Sequence, residues 1–205
     1  SRGEFLTAYT PYQPEMSQGY LQAIYEFQSM IAELMGMDAA NASMYDAATS
    51  LAEATALACA ETKRTKIVLS EAIHPHYRQV VETYAWALGY EVTTLATTNG
   101  ATTDYSAASA EAACIVVQYP NFFGVVEDLA QARDEARSRG ALFVVVADPV
   151  ALALLPPPGA FDADVVVGEG QPLGVAMGYG GPLVGLFACK SQFIRRLPGR
   201  IVGRT

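Results

Sequence analysis

Apolar and polar positions along this chain fall into two alternating rhythms. From residue 66 onward, short runs that are apolar throughout alternate with longer stretches whose apolar residues recur at helical spacing. The first kind reads as strands buried on both faces, the second as amphipathic helices. Strands are predicted at Lys66–Ser70, Glu91–Leu95, Ala113–Gln118, Ala141–Ala147, Val165–Val167 and Leu183–Cys189. Helices are predicted at His74–Leu88, stopped by Gly89, and at Glu127–Arg139, stopped by Gly140. Two more helices precede this series. One runs from Gln18 to Leu34, with Leu21, Ile24, Tyr25, Gln28 and Ile31 on one face, Ser17 placed to cap it and Gly36 to end it. The other is rich in alanine, reaches about Cys59, and is suited to close packing on a sheet. Together they predict an α/β fold: three layers, with helices on both faces of a mostly parallel sheet.

Composition narrows the function classes. The 205 residues are 51% apolar and 17% charged, enough for one sizeable core. A formal net charge of −8 and the lack of a basic cluster argue against nucleic acid as a partner. Cys59, Cys114 and Cys189 lie singly in apolar runs, which fits buried residues of a reducing cytoplasm rather than a metal site. No apolar run is long enough to span a bilayer, so a soluble, cytoplasmic protein without membrane contact is expected. Residues 1–15 carry neither period and read as an N-terminal arm, with Pro11 and Pro14 stiffening Thr10 to Glu15; residues 16–205 read as one large domain. The start without Met and the unpunctuated end at Gly203-Arg204-Thr205 read as a piece of a longer polypeptide.

In a parallel sheet, ligands collect at the carboxyl ends of the strands. That rule gathers His74, Gln118, Asp148, Glu169 and Gln171 at one edge. Ser43, Asp46 and Thr49 stand ahead of the alanine-rich helix, where they suit an anion site at its free N–H groups or ordinary N-capping equally. His74 suits a stacking ring, an acid–base group or a solvated loop residue; Asp148 suits a cation partner or a cap. The stretch Asp164–Lys190 adds Gly168, Gly170, Gly174, Gly178, Gly180 and Gly181, more glycines than a plain loop ordinarily needs. An imidazole, a strand-end carboxylate, a helix start and a glycine-rich loop are the parts that pyridoxal phosphate (PLP) uses. PLP also needs a lysine. Only Lys63, Lys66 and Lys190 occur, the first two at the wrong end of the sheet and Lys190 after the last strand in a solvated or capping position. The expected pocket lacks its nucleophile.

The segments TPYQPEMSQG, HPHYRQVV, VVQYPNFFGVVED, GEGQPLGVAMGYGGP and LPGRIVGRT resemble glycine dehydrogenase (decarboxylating), the P-protein of the glycine cleavage system, and specifically its α-type half. The resemblance covers essentially the whole chain. It implies the large domain of a fold type I PLP enzyme. In that family the α and β halves assemble and only β carries the Schiff-base lysine; Gln171 falls where that lysine would stand, so no catalytic residue is assigned to this chain. By the same resemblance His74 falls at the ring-stacking position and Asp148 at the pyridine-nitrogen position. Thr10, Tyr12, Gln13 and Glu15 are implied as contributions to the β-subunit site, with Tyr179, Gly180 and Gly181 and then Arg204-Thr205 as weaker candidates. The implied partners are the PLP-bearing β subunit, glycine and the lipoylated H-protein, which receives the aminomethyl group after glycine decarboxylation. The competing expectation is a scaffold that stabilises β and touches no substrate. A stand-alone Rossmann module is disfavoured, because the glycines are not spaced GxGxxG and follow a late strand.

Overall fold

The computed structural model describes residues 9–204. Its strands are β1 (Ala39–Ala40), β2 (Lys66–Ser70), β3 (Glu91–Leu95), β4 (Ala112–Tyr119), β5 (Leu142–Ala147), β6 (Val165–Glu169) and β7 (Gly185–Cys189). They form one seven-stranded sheet in the order β1-β7-β6-β5-β4-β2-β3. β3, β2, β4, β5 and β6 run parallel, whereas β7 is antiparallel to β6 and to β1. Helices α1 (Gln18–Met35), α2 (Ala47–Thr62), α3 (Pro75–Leu88) and α4 (Leu129–Ser138) cover it.

The unbroken apolar runs have a simple cause: both faces of the sheet are covered. Ile115, Val117, Phe143 and Val145 join Ile31, Met35 and Leu129 on the side of α1 and α4. Their neighbours Cys114, Val116 and Val144 join Leu51, Leu57 and Val81 on the side of α2 and α3. Successive residues thus point to opposite faces, and each finds a helix. Burial also pushes the thiols up, Cys59 to about 11 and Cys189 to about 12. Among the described residues, no helix is long and apolar enough to cross a membrane.

Several local expectations need correction. Ser17 makes no side-chain cap; Gln18 Nε2 instead donates to the Pro14 carbonyl at 2.7 Å. Glu127 is not part of α4 but a buried carboxylate that accepts from Thr102 N at 3.0 Å and Asn121 Nδ2 at 2.8 Å. Between β5 and β6 there are short 3₁₀ turns at Ala151–Ala153 and Pro158–Phe161 where a crossover helix would be usual. β1 escapes the pattern because two alanines carry no period. Lys190 stands at the N-cap position of the 3₁₀ helix Ser191–Arg196, as the capping alternative expects. Its side chain is paired rather than solvated: Nζ lies 2.7 Å from Asp164 Oδ1 and 2.9 Å from Asp162 Oδ1.

Gly185 sets where α2 begins. Its amide donates to Met44 O at 2.9 Å and its carbonyl accepts from Met44 N at 2.8 Å, so the segment before α2 lies directly on the end of β7. A Cβ at Gly185 would run into Ser50 Oγ, Asp46 O and Met44 Cβ. Gly185→Ala is therefore expected to cost ~1–3 kcal/mol by overpacking. Chemical denaturation checks this, and an unchanged midpoint would contradict the packing described.

Candidate functional site

The carboxyl ends of the parallel strands meet at one edge, around a cavity of about 280 Å³. Tyr77, Gln118, Asp148, Pro149, Glu169 and Pro172 line it, with Val146 and Ala147 as its floor. Gln118 Oε1 accepts from His74 N at 2.8 Å and so ties the end of β4 to the start of α3. The His74 ring stacks on Tyr77 with centroids 4.7 Å apart and meets the edge of Phe122 at 5.0 Å. Its Nδ1 accepts from His76 N at 3.2 Å, so His74 caps α3. Burial, and then the neighbouring His76, hold its pKa below the usual histidine value. Asp148 is exposed, and its Oδ1 accepts from Val150 N at 2.9 Å in a tight turn.

The start of α2 faces the same edge. Asp46 caps it: Oδ1 accepts from Thr49 N at 2.7 Å, while the Thr49 hydroxyl closes a capping box on Asp46 N at 3.2 Å. The N-capping open in the sequence is present here. Glu169, at the end of β6, adds a second carboxylate. Its Oε2 accepts from Ala47 N at 3.2 Å, and its Oε1 accepts from Gln171 N at 3.0 Å and Val184 N at 2.9 Å. The Gln171 side chain turns back to the Val175 carbonyl of its own loop. Tyr179 is exposed, and Gly180 and Gly181 take left-handed φ of 95° and 146°, which glycine allows without strain.

The remaining candidates lie elsewhere. Ser43 lines a second cavity, of about 240 Å³, with Thr10, Pro11, Tyr20 and Arg200. Arg200 Nη1 donates to Thr10 Oγ1 at 2.9 Å, which fastens the arm to the C-terminal segment. That segment is held in turn by Gln28, whose amide donates to Val202 O and whose carbonyl accepts from Val202 N, both at 2.9 Å. Tyr12, Gln13 and Glu15 are exposed on this arm; Arg204 lines a neighbouring cavity, and Thr205 lies outside the described residues. The sequence-named residues thus divide between a strand-edge cavity and an arm cavity, with residues 43–49 between them. Glu169 and Gln118 were legible as strand-end residues, whereas Gln28 was hidden by its place on the apolar face of α1.

No lysine reaches the strand-edge cavity. Lys63 is exposed beyond the end of α2, and Lys66, at the opposite edge of the sheet, pairs with Glu111 at 2.9 Å. Lys190 follows β7, and because β7 is antiparallel it too leaves at the opposite edge.

A mostly parallel sheet with this strand order, helices on both faces and a site at the carboxyl edge defines the fold type I class of PLP-dependent enzymes. Two Micromonospora echinospora structures of that class show the fold alone: a cystathionine γ-lyase (CalE6; TM-score 0.64, 21% identity, 84% of this chain and 44% of that one) and an apo methionine γ-lyase form (TM-score 0.63, 21% identity, 84% and 46%). The family model for the glycine cleavage system P-protein matches residues 1–205, and the chain belongs to that family. It is 54% identical to the probable glycine dehydrogenase (decarboxylating) subunit 1 of Desulforamulus reducens and 55% identical to that of Anoxybacillus flavithermus, over all of this chain and 47% and 46% of theirs. A crystal structure of glycine decarboxylase (P-protein) in inhibitor-bound form superposes with a TM-score of 0.96 at 53% identity, covering 100% of this chain and 46% of that one. The chain spans about half the length of the curated relatives it matches.

The family implies PLP, but the residues of this cavity do not fit it. There is no lysine within it, the Gln171 amide is engaged by its own loop, and Ala47 N and Thr49 N at the start of α2 are taken by carboxylates. The electrostatics agree. Burial, and then the charges of Glu169, Asp46 and Asp148, push the Tyr77 phenol from 10.0 up to about 12. A folded pKa above the unfolded one stabilises fully below the unfolded value, and that stabilisation is lost as pH rises through the folded value. Tyr77 should therefore contribute stability in full below pH 10.0 and lose it as pH rises through about 12. The phenolate absorbance of the protein minus that of Tyr77→Phe should show one group titrating near the upper value. A group titrating near 10.0 would contradict the environment described.

Proposed function

We propose that this chain is the lysine-less α-type half of glycine decarboxylase, acting at a site it shares with a PLP-bearing β subunit. Residues 1–15, of which 1–8 lie outside the described residues, are assigned to an arm, and residues 16–205, of which Thr205 lies outside them, to the large domain of a longer subunit. The observation that carries this reading is a PLP-family fold whose strand-edge cavity no lysine reaches. The names of the relatives, as subunit 1, support a companion chain. The reaction assisted is glycine decarboxylation with aminomethyl transfer to the lipoyl group of the H-protein; PLP, covalently held by β and by no residue here, supplies the electron sink.

Within that assembly the chain binds, positions and excludes water. Tyr12 is 72% exposed, so its ring is available to a neighbouring surface. Pro11 and Pro14 limit the freedom of the backbone around it, and the bond between Thr10 and Arg200 anchors the arm's base, which lowers the entropy lost on docking. Gln13 and Glu15 add an amide and a carboxylate for polar contacts in the shared site. Tyr12→Phe and Glu15→Gln in the subunit assembled with β are expected to lower kcat/KM by about tenfold or more, the size of one positioned interaction. Co-elution with β should stay unchanged. Unaltered turnover in an intact complex would favour the scaffold reading.

A further inference from the structure

The start of α2, a 16-residue helix whose end carries free N–H groups, meets the strand-edge cavity through Glu169, which lines that cavity and accepts from Ala47 N. We propose that Glu169 acts as a resident anion at that position and excludes phosphate-bearing ligands from this chain's own cavity. The inference goes beyond the functional reading above and concerns this cavity alone, whichever chain carries the cofactor.

The geometry is that of a bound anion. One carboxylate accepts from three backbone N–H groups on three segments: Ala47 at 3.2 Å on α2, Gln171 at 3.0 Å after β6, and Val184 at 2.9 Å before β7. The carboxylate cannot leave α2 without giving up charge-assisted bonds elsewhere. Asp46 occupies a second donor of the helix start, Thr49 N, at 2.7 Å. Asp148 is, with Glu169, the second carboxylate of the lining, which includes no lysine, arginine or histidine. A phosphate entering here would meet the Glu169 and Asp148 side chains, and like charges repel more strongly beside a protein surface than in bulk water. The pKa of Tyr77 is raised first by burial and then by the charges of Glu169, Asp46 and Asp148 beside it.

Equilibrium dialysis of the full-length subunit against radiolabelled inorganic phosphate tests this, with the protein as it is and as Glu169→Gln and Glu169→Ala. Glutamine keeps an oxygen for Gln171 N and Val184 N but turns an NH₂ toward Ala47 N, so it releases the helix start while keeping two of the three bonds. Unmodified protein should show no saturable binding at millimolar phosphate. Affinity should rise by about tenfold or more in the variants, in keeping with the worth of an anion at a helix start. Circular dichroism confirms that each variant is folded; if Glu169→Ala is not, Glu169→Gln decides. The proposal is overturned if the unmodified subunit binds phosphate as well as the variants do. A folded Glu169→Gln that gains nothing, or one that fails to fold and so assigns Glu169 a structural role alone, overturns it equally. Turnover with β is read in a separate assay, so failure of the functional reading is distinguishable from failure of this one.

Discussion

One carboxylate fastens the working edge of the molecule together. Glu169 ties the end of β6 to the first amide of α2 and to the two loop positions that flank the glycine-rich segment. Hydrogen bonds to an ionised acceptor are about twice as strong as neutral ones, and here a single acceptor group serves donors from three segments. Around it, the packing of Gly185 against the turn before α2 fixes how near that helix comes. Glu169 also lines the strand-edge cavity and so sets part of its charge.

The same junction bears on the proposal that this half of a cofactor-bearing family holds no cofactor of its own. Parallel strands and a helix start still converge, but the donors meet carboxylates of the chain itself. What a PLP site would use for binding is used here for cohesion. The described part of the arm is anchored at Thr10 by Arg200, itself on the segment that Gln28 holds, and leaves the Tyr12 ring exposed.

Much of this was legible in the sequence, and the failures have physical reasons. The inner strands could be read because each of their residues faces a packed helix layer, which leaves no polar position to blur the run. The lysine census was also legible, but not the direction in which Lys190 points. That depends on β7 running antiparallel, which an apolar run does not encode. The glycine-rich stretch looked like a cofactor loop. In the structure, a Cβ at Gly170 would lie 2.8 Å from Leu186 and Val184, so that glycine serves packing, while Gly180 and Gly181 serve a turn. Anion binding and N-capping at α2 use the same residue types, and only the three-dimensional approach of Glu169 and Asp46 separates them.

The central claim is that this subunit works without holding the cofactor. Borohydride reduction of the assembled enzyme with PLP, followed by peptide mapping of both subunits, tests it most directly. The reduced cofactor should be found on a lysine of the partner subunit alone. Recovery of label on Lys63, Lys66, Lys190 or any other lysine of this subunit would contradict the claim.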